Sequence, residues 1–202
     1  MRRLSGGGAV YHDNGNLNFS FIRNREKSKF PLGTDFLKPV VKLLNGIGIP
    51  VETGKRKDLW LDGFKVSGTA SHIGKDRVMH HGTLLYDTNI ENLKHSLAAE
   101  LPDCFNEGLH GGGIFFDNLS EISQKSVSSI SSVPSPVRNI RTYLKEKGMD
   151  APVSKEFFRK LKLIFLTENS LNELTNFASE EIAQIETLQE KIYQKYTWIY
   201  KK

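Results

Sequence analysis

Leu17, Phe19 and Phe21 alternate with Asn18, Ser20 and Ile22, the two-residue period of a strand. Ala9-Val10-Tyr11 precedes this run across the turn-forming Asp13-Asn14-Gly15-Asn16, which predicts a hairpin over residues 9–22. The period then lengthens. Between Thr34 and Asn45, the residues Phe36, Leu37, Val40, Val41 and Leu44 fall at helical spacing, with Thr34 or Asp35 as N-cap and Gly46 at the stop. Pro39 suits such a helix only near its first turn, where its missing N–H has no helical partner to lose. Strands are predicted again over Asp58 to Phe64, Lys65 to Ile73 and Val78 to Tyr86, joined at Asp62-Gly63 and Gly74-Lys75-Asp76. A short helix is predicted over Asn89 to Leu97. An irregular excursion covers 98–136, with Pro102, Gly108, Gly111-Gly112-Gly113 and the serine-rich run Ser126 to Ser135. From Ser154, a candidate N-cap, the helical spacing of Phe157, Phe158, Leu161, Ile164 and Phe165 predicts a helical part over 154–202.

The 202 residues suit about one domain, and 28 Lys+Arg against 23 Asp+Glu leave a net charge of +5. With 38% hydrophobic and 25% charged residues, and no apolar run near the roughly 20 residues of a bilayer span, a soluble globular protein without a membrane partner is expected. The positive charges are scattered rather than gathered into a basic stripe with aromatic residues, so no nucleic-acid partner is expected. Cys104 is the only cysteine; it closes no intrachain disulfide, and a reducing cytoplasm is the simplest compartment. Arg2-Arg3 is followed by no apolar stretch, unlike a secretory signal.

Three stretches carry candidate chemistry. In Arg3-Leu4-Ser5-Gly6-Gly7-Gly8-Ala9-Val10-Tyr11 the glycine triplet lets backbone N–H groups approach an anion, and Arg3 adds a charged donor for it. The same triplet is equally a plain flexible turn. No Gly-Lys-Ser/Thr follows, so it is not a Walker loop, and no strand precedes it as in a dinucleotide fingerprint. In Lys65-Val66-Ser67-Gly68 a lysine follows a tight turn, either on an exposed face or directed at phosphate and carboxylate oxygens together. His80 and His81 in His-His-Gly-Thr are adjacent strand residues. They face opposite ways and cannot share one metal in regular geometry.

These stretches, in this order, resemble the lipoate-protein ligase A family. The likeness rests on Arg2-Arg3-Leu4-Ser5-Gly6-Gly7-Gly8-Ala9-Val10-Tyr11-His12-Asp13, the run Gly15 to Phe21, Lys57-Asp58-Leu59, Lys65-Val66-Ser67-Gly68, and Lys75-Asp76-Arg77 leading to His80-His81-Gly82-Thr83. Ser132 to Ile140 is similar to the family's Ser-Val-x-Ser-x-Val-x-Asn-Leu segment, and Lys195-Tyr196-Thr197-Trp198 to its Lys-Tyr-x-x-Trp ending. The resemblance implies an α+β biotin/lipoyl-ligase fold of mixed sheets with flanking helices. It also implies a two-step reaction: ATP and lipoate give lipoyl-AMP and pyrophosphate with Mg²⁺, and the acyl group then moves to a lysine of an acceptor lipoyl domain. Such acceptors are the E2 subunits of 2-oxoacid dehydrogenases and the glycine cleavage H protein.

By the same resemblance, Arg3, Gly8, Ala9, Val10, Tyr11 and Lys65 would bind the nucleotide. Ser5, Gly6, Gly7, Lys65 and His81 would line the lipoate, and Lys65 would be catalytic, bridging the lipoate carboxylate and the α-phosphate. Asp58 is the candidate metal residue. His81 and Thr83 sit in a family motif without an assigned step. The chain departs from the family in carrying Lys57 where Asn is usual, in starting at the glycine motif, and in stopping soon after Trp198. Residues 1–202 are therefore expected to form a catalytic domain incomplete at its N-terminus, with leftover apolar surface and an open strand edge. An octanoyl or lipoyl transferase of the same fold, and an inactive remnant that binds ligand or acceptor, stay as alternatives.

Overall fold

A computed structural model describes residues 3–25, 36–97, 135–168 and 176–199. Two antiparallel sheets stand at its centre. The first has the order β1-β6-β5, with β1 at Asn16–Asn24, β5 at Thr69–Ile73 and β6 at Arg77–Leu85. The second has the order β2-β3-β4, with β2 at Glu52–Thr53, β3 at Leu59–Leu61 and β4 at Phe64–Ser67. The only parallel contact among the described residues is an isolated bridge between Lys65 and Val137. Helices flank the sheets: α1 at Lys38–Gly46, α2 at Ile90–Leu97, α3 at Ile140–Glu146, α4 at Ser154–Glu168 and α5 at Ser179–Leu188. A single π turn over Gln189–Tyr193 and a short α6 at Tyr196–Ile199 follow α5.

The predicted hairpin over 9–22 does not form. Residues 9–11 are not a strand, and β1 pairs along its whole length with β6, from Asn16 opposite Leu85 to Asn24 opposite Arg77. The cause lies in the turn. Asp13 Oδ1 accepts the Gly15 N–H at 2.9 Å and Asp13 Oδ2 accepts the Asn89 N–H at 2.8 Å, while the Gly15 carbonyl accepts both the Tyr86 and Asp87 N–H groups. A Cβ on Gly15 would lie 2.2 Å from the Asp87 backbone, so only glycine lets the chain enter the sheet here.

The predicted strand over Lys65 to Ile73 is divided at Gly68, which places β4 in one sheet and β5 in the other. The Asp62-Gly63 turn forms as predicted, with φ of 52° and 78° at its two residues. Helix α1 carries Pro39 in its first turn, but its left-handed stop is Gly48 (φ 82°) rather than Gly46, with the Ile49 N–H bonded to the Leu44 carbonyl. The N-cap candidates Thr34 and Asp35, Cys104 and most of the 98–136 excursion lie outside the described residues. The helix α3 has no counterpart in the sequence reading.

The core joins Val40, Leu43 and Leu44 of α1 to Leu59, Leu61 and Val66 of the second sheet, Ile140 and Leu144 of α3, and Phe157 and Leu161 of α4. Tyr86, the residue after β6, stacks on Phe157 with centroids 3.8 Å apart and donates to the Pro152 carbonyl at 2.7 Å. Its burial pushes the phenol up to about 12. No described helix is long and apolar enough to cross a membrane.

Candidate active site

Lys65 stands on β4 opposite Trp60 of β3. Asp58, two residues before Trp60 and so on the same strand face, has its Oδ2 3.2 Å from Lys65 Nζ; the register shifts between Leu59 and Trp60. The other oxygen, Oδ1, accepts a hydrogen bond from Trp60 Nε1 at 2.9 Å. Asp58 is only 2% exposed, and burial alone would raise its pKa; the Trp60 hydrogen bond and the Lys65 ammonium outweigh it and hold the carboxyl below its ordinary value. Gly54 makes the room, since a Cβ there would sit 2.3 Å from Asp58 Oδ1 and 2.4 Å from Trp60 Nε1. An ammonium has three donors. Asp58 engages one side of it, and the lysine side chain remains 22% exposed.

Lys57 occupies a left-handed conformation, φ 60°, with its carbonyl accepting from Thr69 Oγ1. Asparagine tolerates that conformation far better than lysine, which gives a backbone reason for the Asn that the resemblance leads one to expect here. The Lys57 charge also reaches His80 and helps to lower its pKa, behind burial and His81.

The second cluster lies on the first sheet. His81 Nε2 is 2.6 Å from Ser5 Oγ, a bond that ties the glycine loop to β6. Burial, then the Arg3 charge, lowers the His81 pKa, so the neutral imidazole is the favoured partner for Ser5. Arg3 curls the loop about itself: Nη2 donates to the Gly6 carbonyl at 2.9 Å and to the Gly8 carbonyl at 2.7 Å. Gly7, at φ 102°, closes this curl, and a Cβ there would meet Arg3 Nη2 at 2.8 Å. Gly6, Gly7, Ala9 and Val10 are exposed and Tyr11 is half-buried. His80 faces the other way, as expected of neighbours on a strand: it is buried, stacks on Phe36 at 5.3 Å and has Nδ1 2.8 Å from Ser71 Oγ.

The two clusters are linked through β6. Gly68, three residues after Lys65, accepts the Thr83 N–H at 3.0 Å and donates its own N–H to Thr83 Oγ1 at 3.4 Å. Thr83 is two residues after His81, so this contact registers the lysine strand against the strand that anchors the loop. The sequence reading named Lys65, Asp58, His81 and the loop as candidates but missed Trp60 and Gly54, and it gave no place at the site to the segment 136–138 of the Ser132 to Ile140 motif, which brackets Lys65 from the far side. Trp60 carried a weak signal in its spacing of two from Asp58; Gly54 carried none.

Asp58 alone makes a thin site for a metal ion. Its Oδ1 accepts from Trp60, its Oδ2 pairs with Lys65 at 3.2 Å but makes no hydrogen bond, and no group of three His, Cys, Asp or Glu able to hold a metal ion occurs among the described residues. Mg²⁺ is ordinarily held by one or two carboxylates together with substrate phosphates and waters, so Asp58 would contribute one oxygen beside a bound nucleotide.

The family model described as the lipoyl protein ligase A/B catalytic domain matches residues 1–162. The lipoate-protein ligase LplJ of Bacillus subtilis (strain 168) is 35% identical over 206 residues, covering 99% of this chain and 54% of its own. Lipoate-protein ligase 1 of Staphylococcus aureus (strain Mu50) is 31% identical over 200 residues, covering 99% of this chain and 53% of its own. The chain thus spans about half the length of these curated relatives. Among solved structures, the bi-partite lipoate protein ligase of Thermoplasma acidophilum superposes with a TM-score of 0.63 at 23% identity, over 98% of this chain and 68% of that one. A lipoate-protein ligase A bound with ATP gives 0.63 at 21% identity, over 98% and 70%. These two likenesses establish a shared α+β fold. From the family match over residues 1–162, the chain belongs to the lipoyl protein ligase A/B catalytic domain family.

Proposed function

We propose that this chain carries the chemistry of an ATP-dependent lipoate-protein ligase, with Lys65 as its catalytic residue. The observation that supports it most is the Lys65 ammonium, held from one side by the buried Asp58 and still partly open on the others. Activation of a carboxylic acid by ATP brings two anions together: a carboxylate oxygen attacks the α-phosphorus, and the bond to pyrophosphate breaks. An ammonium already fixed between them offsets their repulsion without reorganising. In the second step the amine of an acceptor lysine attacks the acyl carbonyl, AMP leaves with the bonding electrons, and the amine loses a proton. Lys65 stabilises the charge that returns to AMP.

Arg3 and the backbone of Gly8 to Tyr11 hold the nucleotide in this reading, while Ser5 to Gly7 and His81 line the acyl chain. Lipoate and ATP are supported as substrates by relatives solved with lipoic acid and with ATP, and a lipoyl domain as acceptor by the archaeal ligase described together with its E2 lipoyl domain. The glycine cleavage H protein is a further proposed acceptor, and the cytoplasm the proposed compartment. Mg²⁺ would enter with the nucleotide, with Asp58 as the candidate protein ligand. The test is pyrophosphate release by the 202-residue chain supplied with ATP and lipoate. Release that requires both substrates supports the reading; none with either lipoate or octanoate present overturns it.

A further inference from the structure

Lys65 is gripped on the side of β4 away from β3. Its N–H donates to the Pro136 carbonyl at 2.8 Å, and its carbonyl accepts the Arg138 N–H at 3.3 Å, the two bonds of the parallel bridge centred on Val137. The strap of residues 135–138 is itself fastened at both ends. Ser135 Oγ accepts from Arg56 Nη2 at 2.9 Å. Beyond the strap, the buried Asn139 side chain exchanges two hydrogen bonds with the Thr88 backbone, at 2.8 and 2.9 Å.

The Arg138 side chain does more than close the strap. Its guanidinium, only 11% exposed, pairs with Asp62 Oδ2 at 3.3 Å in the β3–β4 turn and with Glu146 of α3. It also lies over the Phe64 ring at 5.1 Å and the Tyr143 ring at 5.5 Å. Phe64 directly precedes Lys65, and Tyr143 belongs to α3. One side chain therefore joins the turn before Lys65 to the helix behind it, while the same residue's backbone holds the Lys65 carbonyl. Guanidinium suits this task because its planar fork engages two carboxylates and presents a flat face to aromatic rings.

We infer that Arg138 is a positioning residue for Lys65, setting the place of its ammonium through the strap and the Asp62 turn; the inference deepens the ligase reading and rests on it. Removing the guanidinium frees the hairpin from α3, and the Lys65–Asp58 pair becomes looser.

Competitive acetylation of the whole 202-residue chain with acetic anhydride, read lysine by lysine by mass spectrometry, tests this without using activity. Arg138→Gln is expected to raise labelling of Lys65 at least threefold while the lysines of α4 stay within the scatter of the wild type. Pyrophosphate release should fall about tenfold, with most of the loss in kcat, and Arg138→Lys should recover part of it. Glu146→Gln and Asp62→Asn, which each remove one partner, should raise Lys65 labelling about twofold and decide the matter if Arg138→Gln does not fold. Unchanged Lys65 labelling in a folded Arg138→Gln, or in both single-partner variants, overturns the inference. A wild type that releases no pyrophosphate overturns the ligase reading, and the labelling still decides whether Arg138 places Lys65.

Discussion

The glycine loop and the lysine strand are both tied to β6 but are built on opposite plans. The loop, Arg3 to Tyr11, is mostly exposed and is held by side chains reaching to carbonyls, with anchors on the sheet at His81 and, through the Tyr11 carbonyl, at Asn16. The strand is held on both edges by backbone hydrogen bonds, and its functional lysine pairs with a carboxylate that is 2% exposed. Exposed charged contacts contribute about 1 kcal/mol or less, whereas disrupting a buried pair costs about 3–5 kcal/mol. The loop can therefore exchange its present partners for those of an anionic ligand at little cost. The strand cannot, and it presents a charge whose position is fixed before any ligand arrives.

The sharpest way to break this contrast is Lys65→Ala. Pyrophosphate release dependent on lipoate should drop at least a hundredfold, about 2.7 kcal/mol of barrier, with unchanged circular dichroism. Survival within tenfold would remove Lys65 from the chemistry. Next is Asp58→Asn, which keeps an acceptor for Trp60 but leaves the ammonium unpaired. Since Lys65 retains some solvent access, we expect a loss of about 1–3 kcal/mol in urea unfolding, less than for a fully buried pair, together with a slower first step. In the loop, Gly7→Val collides with the Arg3 guanidinium and forces a β-branched residue to φ 102°. Its ATP affinity should weaken about tenfold while its melting temperature moves by no more than a few degrees. If stability falls as far as in Asp58→Asn, the loop is as rigidly built as the strand.

Acid separates the regions again. Burial and neighbouring cations lower the pKa values of His80 and His81, so the unfolded chain binds protons more readily than the folded one just below the ordinary histidine value of about 6.5. Stability contributed by the neutral rings is complete above that value and is lost as the pH falls through the window beneath it, by at most about 1.4 kcal/mol per pH unit for each ring. Asp58 behaves differently. Its contribution persists below pH 5 and is lost only as the pH falls beneath the ordinary carboxylate value of about 3.9, toward its lowered folded value. Melting curves of the wild type and His80→Gln between pH 7 and 5 should converge toward the acid end. The smallest effect belongs to Lys57→Gly, expected to leave stability unchanged or raise it by up to about 1 kcal/mol by relieving the left-handed lysine.

Much of the strand region was legible in the sequence because its signals are local. The Asp62-Gly63 turn takes the positive φ pair that the dipeptide favours, and the Lys-Val-Ser-Gly motif falls on the strand that follows. Local signals also misled. Ala9-Val10-Tyr11 has the composition of a strand, yet the Asp13 carboxylate and the close approach of Gly15 to Asp87 commit the neighbouring chain to β6 instead. Lys65 to Ile73 reads as one strand because nothing local announces that Gly68 hands the chain from one sheet to the other. The Asp58–Lys65 pair joins residues of neighbouring strands whose pairing, with its register shift at Leu59/Trp60, is not read from either strand alone. Helix α3 is only seven residues long, too short for a clear period, and is fixed by the burial of Ile140, Tyr143 and Leu144 against distant elements.

The bridge at Val137 also bears on the order in which the molecule is made. Arg138 reaches Asp62 across 76 residues, an interval a ribosome covers in roughly 4–15 seconds. Until then the outer edge of β4 has no strap, and the Lys65 N–H and carbonyl stand open on a nascent strand. A hairpin that is otherwise local and quick to form must wait for a distant segment before its lysine is enclosed. During that wait the reactive strand is the edge on which another chain can add.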